Sequence, residues 1–86
     1  MPTLSEFFGL TIRMYYNDHN PPHVHVYYGE FEAILKISLF EVLAGSLPRR
    51  AMLLAVEWVL INQEALRVNW RLAEQHLPLN PIPPLE

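Results

Sequence analysis

The sequence predicts an α+β domain, an antiparallel meander of three or four strands followed by one long or two shorter amphipathic helices. Up to about residue 47 apolar and polar residues alternate, whereas over residues 49–75 apolar residues recur every three or four positions. The chain has 86 residues, 51% of them hydrophobic and 17% charged, which fits one folded core. We therefore expect a single domain over residues 1–77 and a proline-rich tail over residues 78–86.

Three strands are predicted directly from the alternation. The first covers Leu10–Tyr16 and is ended by the prolines and turn residues of positions 17–22. The second covers His23–Tyr28 and the third covers Phe31–Ile37. Because only Gly29-Glu30 separates them, these two strands are expected to form a tight hairpin.

The hairpin turn predicts a register in which apolar residues share one face of the sheet. The expected pairs are Tyr28 with Phe31, Val26 with Ala33, Val24 with Leu35, Met14 with Val24, and Ile12 with Val26. A slip of one residue would mix polar and apolar side chains on that face. The polar residues of the second strand are therefore expected on the opposite, outer face.

The segment Leu39–Leu47 predicts a short edge strand around Glu41–Leu43, ended by Gly45 before Pro48 opens a helix. A single helix over residues 49–75 would be about 40 Å long, too long for so small a sheet. We expect a break near Asn62, the alternative being a far end that packs on a partner. The predicted core joins Val24, Val26, Leu35 and Ile37 to the helix stripe Leu54, Trp58 and Ile61.

The composition excludes several classes of protein. Without cysteine the chain has no disulfide and no thiolate metal site, so any metal needs histidine and carboxylate ligands. A net charge of −3 argues against a broad basic surface for nucleic acid, although a local contact with RNA or DNA stays open. With no leader and no membrane-spanning run, a cytoplasmic protein is expected. The surplus of apolar residues predicts a homodimer or a complex.

Three of the four histidines, His19, His23 and His25, lie within the second predicted strand or just before it. Strand alternation puts His23 and His25 side by side on the outer face. The expected registers place Tyr15 opposite His23 and Arg13 opposite His25, with Lys36 on the other side of His23. These five side chains are the candidate functional cluster.

Three functions suit this cluster. The first is a non-catalytic surface for a regulatory partner or a second subunit, because tyrosine, arginine and histidine are common at interfaces. The second is cleavage of a phosphodiester, with RNA as the expected substrate, without a metal. In that mechanism His23, His25 and Tyr15 supply acid and base groups, and Arg13 or Lys36 stabilises the developing charge.

The third function is binding of a divalent metal such as zinc. Its expected ligands are Asp18, His19, His23 and His25. Arg13 and Lys36 weigh against it, because positive side chains beside the site repel a cation. No other cofactor is predicted.

Two strings of the sequence carry a family resemblance, MYYNDHNPPHVHVYYGEFEAILKI and, after it, EVLAGSLPRRAMLLAVEWVLINQEAL. Through them the chain resembles a bacterial family known as domain of unknown function 4160. The resemblance implies a small cytoplasmic protein of a family loosely described as transcriptional regulators. It also implies a neighbouring gene for another small protein, in an arrangement like a toxin–antitoxin module. Because the family has no established active site, the resemblance assigns no catalytic residue.

Overall fold

The computed structural model describes residues 3–38 and 41–86. Within them the chain forms an α+β fold, a five-stranded antiparallel sheet and two helices, and the strands pair in chain order. The elements are β1 (Thr3–Phe7), β2 (Leu10–Arg13), β3 (His23–Tyr28), β4 (Phe31–Lys36), β5 (Glu41–Ser46), α1 (Arg49–Ile61) and α2 (Gln63–Glu74).

The prediction of three or four strands is wrong because it lacks β1, the edge strand that pairs antiparallel with β2. The register of this pair shifts between Thr3 and Ser5, so the buried side chains of β1 do not alternate. Leu4 and Phe7 are buried, but their spacing does not follow the period of two that predicts a strand.

The other edge strand, β5, is longer than predicted. Gly45 does not end it but pairs with Ala33, and the strand continues to Ser46. Gly45 has a φ of 75°, and a Cβ at this position would lie 2.2 Å from the carbonyl oxygen of Glu32. The glycine therefore permits the close approach of the β4 backbone and does not terminate the strand. Residues 39 and 40 of the predicted edge strand lie outside the described residues.

The predicted registers around β3 are confirmed. The observed pairs include Val24 with Leu35, Val26 with Ala33, Tyr28 with Phe31, Ile12 with Val26, Arg13 with His25 and His23 with Lys36. However, β2 ends at Arg13 and not at Tyr16, so the pairings predicted for Met14 and Tyr15 are not part of the ladder.

The predicted break in the helical region is confirmed at Asn62, between α1 and α2. The side-chain amide of Asn62 donates to the carbonyl oxygen of Trp58 at 2.9 Å and does not cap α2. Among the described residues, neither helix combines the length and apolar character needed to cross a membrane.

One face of the sheet packs against α1. The predicted core strand residues Val24, Val26, Leu35 and Ile37 are fully buried, and α1 buries Ala51, Ala55, Trp58 and Val59. Ile61, predicted in the core, is 65% exposed, and Leu54 is only partly buried. At 3.6 residues per turn, Ile61 lies about 100° around the helix from the centre of the buried stripe.

The proline-rich tail lies against the domain. The backbone N–H of Ile82 donates to Leu4 O at 3.0 Å, and Trp58 Nε1 donates to Pro83 O at 3.0 Å. The buried Asn69 side chain also exchanges two hydrogen bonds with the backbone of Asn80. The tail therefore supplies polar partners to buried groups of both helices.

Helix α2 crosses the end of the sheet where β4 ends. Gln63 Nε2 donates to Ile37 O at 2.8 Å, and Arg67 Nε donates to Ser38 Oγ at 3.3 Å. From this position Trp70 reaches the first residue of β3, with its ring centroid 5.2 Å from that of His23. Part of the outer face of the sheet is covered as a result.

Replacing Gly45 by alanine is expected to lower the free energy of unfolding by about 2 to 3 kcal/mol, because a positive φ and a clash with the backbone coincide. Urea denaturation measures this. Gly29→Ala is the matched control, since Gly29 has a φ of 57° but no atom near the added Cβ. It should cost only about 1 kcal/mol. Equal effects of the two substitutions would contradict the backbone clash at Gly45.

Candidate metal centre

The alternation of β3 gives the two histidines a common side. Val24 and Val26 point into the core, so His23 and His25 lie on the outer face with ring centroids 5.2 Å apart. Both side chains are nevertheless largely shielded, with 11% and 13% of their surface exposed. Trp70 packs against His23, and the ring of Tyr15 meets that of His25 edge-on at 4.6 Å.

The loop between β2 and β3 returns one carboxylate to this pair. Asp18 Oδ2 lies 3.1 Å from His23 Nε2 and 2.9 Å from His25 Nε2. The three candidate ligand atoms are all within 4.8 Å of one another. One oxygen therefore faces two imidazole nitrogens at the same time.

The remaining ring nitrogens also face acceptors. His23 Nδ1 is 2.8 Å from Pro21 O, and His25 Nδ1 is 3.2 Å from Glu32 Oε2. A carbonyl oxygen can only accept a hydrogen bond, and so can an ionised carboxylate. With Nδ1 as the donor in both of these contacts, each Nε2 of a neutral ring presents a lone pair.

Two neutral histidines would leave these lone pairs facing the Asp18 carboxylate. A second proton on each ring would also satisfy the contacts, and the Asp18 and Glu32 carboxylates would then face the two positive charges. A single cation between His23 Nε2, His25 Nε2 and Asp18 Oδ2 satisfies all three atoms. The donor set, two imidazoles and one carboxylate, suits a divalent transition metal.

The other predicted site residues are not all brought into this group. His19 is exposed and does not belong to the set of close ligand atoms. Lys36 Nζ lies 3.9 Å from Glu41 Oε1, and the Arg13 guanidinium lies over the ring of Tyr27, 5.5 Å from its centroid. Each positive side chain thus has a neighbour of its own that stabilises its charge.

Sequence reasoning did not assign Glu32, the Pro21 carbonyl or Trp70 to the site. A signal for Glu32 exists, because the predicted hairpin register pairs it with Tyr27, next to His25 on the same face. The contact of Trp70 with His23 has no local signal, since it depends on where α2 packs. The Pro21 carbonyl depends on the loop conformation, which alternation does not predict.

The model of a family described as Domain of unknown function (DUF4160) matches residues 9–71. The chain belongs to this family. The matched segment of this DUF4160 domain contains Asp18, His23, His25 and Glu32, and it leaves out β1 and the tail. Comparisons with curated proteins and with solved structures found no match. The family description gives no activity, so the function must be argued from the geometry.

A pair of tyrosines borders the DUF4160 cluster. The hydroxyl oxygens of Tyr15 and Tyr27 are 2.6 Å apart. Burial, the hydrogen bond with Tyr15 and the nearby charge of Glu32 raise the pKa of Tyr27 above its usual 10.0. Tyr27 therefore remains a protonated phenol at neutral pH and serves as a hydrogen-bond donor beside the cluster.

This raised pKa predicts a loss of stability in alkali. The contribution of Tyr27 to the free energy of unfolding is fully present below pH 10.0, the pKa of an unperturbed tyrosine. It is lost as the pH rises above 10.0, because the unfolded chain releases the proton first. Urea denaturation between pH 8 and pH 11 should show a shallower decline for Tyr27→Phe than for wild type. Tyr28→Phe, from the same strand, is the control and should follow wild type. Parallel curves for all three proteins would contradict the raised pKa.

Proposed function

We propose that the protein binds a divalent transition-metal ion such as zinc through Asp18 Oδ2, His23 Nε2 and His25 Nε2. The observation behind this proposal is that both Nε2 atoms face one carboxylate oxygen while both Nδ1 atoms face other acceptors. A shared cation would bind the lone pairs of all three atoms, and the two adjacent imidazole rings would stay neutral.

The distances support this proposal. Bonds of about 2.0 to 2.2 Å to zinc, at angles between the octahedral and tetrahedral values, put neighbouring ligand atoms roughly 3.0 to 3.4 Å apart. The two Nε2–Oδ2 distances are 3.1 and 2.9 Å. The third separation, between the two Nε2 atoms, is at most 4.8 Å.

The surroundings of the ligands also support a metal. Metal-binding histidines usually donate their second N–H to a carbonyl or a carboxylate, which fixes the ring and increases its basicity. Pro21 O accepts this proton from His23, and Glu32 Oε2 accepts it from His25. The two rings are therefore oriented with Nε2 directed towards Asp18.

The number of ligands bears on the role of the metal. Structural zinc sites use four protein ligands, whereas catalytic and ligand-binding sites use three and keep a position for water or substrate. The described cluster offers three. Metal-independent hydrolysis has less support, because both Nε2 atoms, which would exchange protons with a substrate, face Asp18 instead.

Zinc binding by untagged protein, measured by isothermal titration calorimetry, tests the proposal. Asp18→Asn, His23→Ala and His25→Ala are each expected to weaken binding by more than about 100-fold, and Glu32→Gln by about tenfold. His19→Ala is the matched control, because His19 is exposed on the same loop. It should change the affinity less than about threefold.

Two results would contradict the metal proposal. One is that wild-type protein, freed of metal with a chelator, binds none of zinc, cobalt, manganese or iron(II). The other is that His19→Ala weakens binding as much as His23→Ala, which would indicate non-specific binding by surface histidines. Circular dichroism of each variant separates loss of ligand from loss of fold.

A second proposal concerns association with another copy of the chain through β5, in line with a partner-binding role. All six residues of this edge strand are exposed, including Val42 and Leu43 at 40% and 39%. An apolar edge strand readily pairs with another strand. Antiparallel pairing of two copies would bring Glu41 of one strand towards Arg49 and Arg50, which follow the end of the other, so the charges are complementary.

Leu43→Lys tests this association. A charge on the edge strand opposes pairing, so the dimer dissociation constant should rise by at least roughly tenfold. Size-exclusion chromatography with light scattering over a concentration series measures it. Phe8→Lys is the matched control, because Phe8 is 58% exposed in the turn between β1 and β2 at the other side of the sheet. A wild-type protein that stays monomeric at all concentrations would contradict the proposal.

A further inference from the structure

We propose that the metal centre takes an oxyanion, such as a phosphate or carboxylate group, which binds the metal through one oxygen and Arg13 through another. This inference rests on the proposed metal site. It adds to that site a class of ligand, the oxyanions, and one residue that does not bind the metal, Arg13.

The first observation is the position of the Arg13 side chain. It lies directly opposite His25 in the β2–β3 ladder, so it is next to a metal ligand. Its guanidinium packs over the Tyr27 ring, which holds the group on the outer face. The Nε atom is buried and has no hydrogen-bond partner. A buried N–H without an acceptor is unfavourable, and because Nε is closed to solvent, a ligand oxygen would reach Arg13 through the terminal nitrogens of the guanidinium.

The second observation is that Arg13 has no acidic partner. Among residues 3–38 and 41–86 it takes part in none of the ion pairs, whereas Lys36 pairs with Glu41 and Arg67 pairs with Glu64. An arginine without an ion pair remains available for an anion. Its planar fork matches two oxygens on one centre, which phosphate and carboxylate groups share.

The charge of the centre makes this binding depend on the metal. Asp18 and Glu32 bring two negative charges and Arg13 brings one positive charge, so with neutral histidines the centre is net negative without an ion. A divalent ion reverses the sign. With three protein ligands the ion also keeps a coordination position for an oxygen. Metal-loaded protein should therefore bind the oxyanion more tightly than metal-free protein does.

Cobalt(II)-loaded protein provides the direct test, because the visible absorption of cobalt changes when a ligand enters its coordination shell. Inorganic phosphate is titrated first and acetate second, and the tighter of the two identifies the kind of oxyanion. We expect phosphate or acetate to shift the cobalt spectrum of wild type. Metal-free protein, followed by calorimetry, should bind the same anion at least about tenfold more weakly.

Arg13→Gln separates this inference from the metal proposal. The variant should bind cobalt within about threefold of wild type but the oxyanion at least about tenfold more weakly. Arg50→Gln, on α1, is the matched control and should behave as wild type. If Arg13→Gln fails to fold by circular dichroism, Arg13→Lys takes its place. It keeps the charge but loses the fork, and it should weaken anion binding at least about threefold.

The outcomes distinguish the two proposals. Failure of wild type to bind cobalt contradicts the proposed metal site and this inference together. Cobalt binding with no spectral response to either anion contradicts this inference alone. An equal response in Arg13→Gln and wild type also contradicts it, because the anion would then bind the metal without Arg13.

Discussion

The central constraint in this protein is the pairing of β3 with a strand on each side. Because β3 is in the middle of the sheet, its alternation commits Val24 and Val26 to the core and His23 and His25 to the outer face. Burial of the valines against α1 therefore also fixes the positions of the histidines. The same pairing sets Arg13 beside His25 through β2, and it sets Glu32 next to it through β4.

The third candidate ligand atom does not come from the sheet but from a loop. Asp18 reaches both histidines from the connection between β2 and β3, and the carbonyl of Pro21 in the same loop orients His23. The loop and the sheet therefore meet at the proposed metal site. A cation held there would link the two, and the centre would be coupled to the stability of the fold. Trp70 shields one side, so α2 contributes to the site through packing alone.

The sequence was sufficient to predict those parts of the fold whose physical signal lies in a short segment of the chain. The hairpin register follows from the Gly29-Glu30 turn and the alternation on both sides of it, and the helix break at Asn62 follows from helix length. The β1 strand escaped prediction because its register shift disrupts alternation. The choice of Asp18 over His19 in the cluster could not be predicted either, since it depends on the loop conformation. Loop conformations are set by tertiary contacts, and the periodicity of a sequence gives no information about these contacts.

The most direct test of the central claim is the protonation of the two imidazoles, observed by long-range ¹H–¹⁵N NMR before and after addition of zinc. The account predicts that both rings carry a proton on Nδ1, bonded to Pro21 O and Glu32 Oε2, and that zinc shifts the Nε2 resonances of His23 and His25 but not those of His19. Rings protonated on Nε2, with spectra unchanged by zinc, would contradict it.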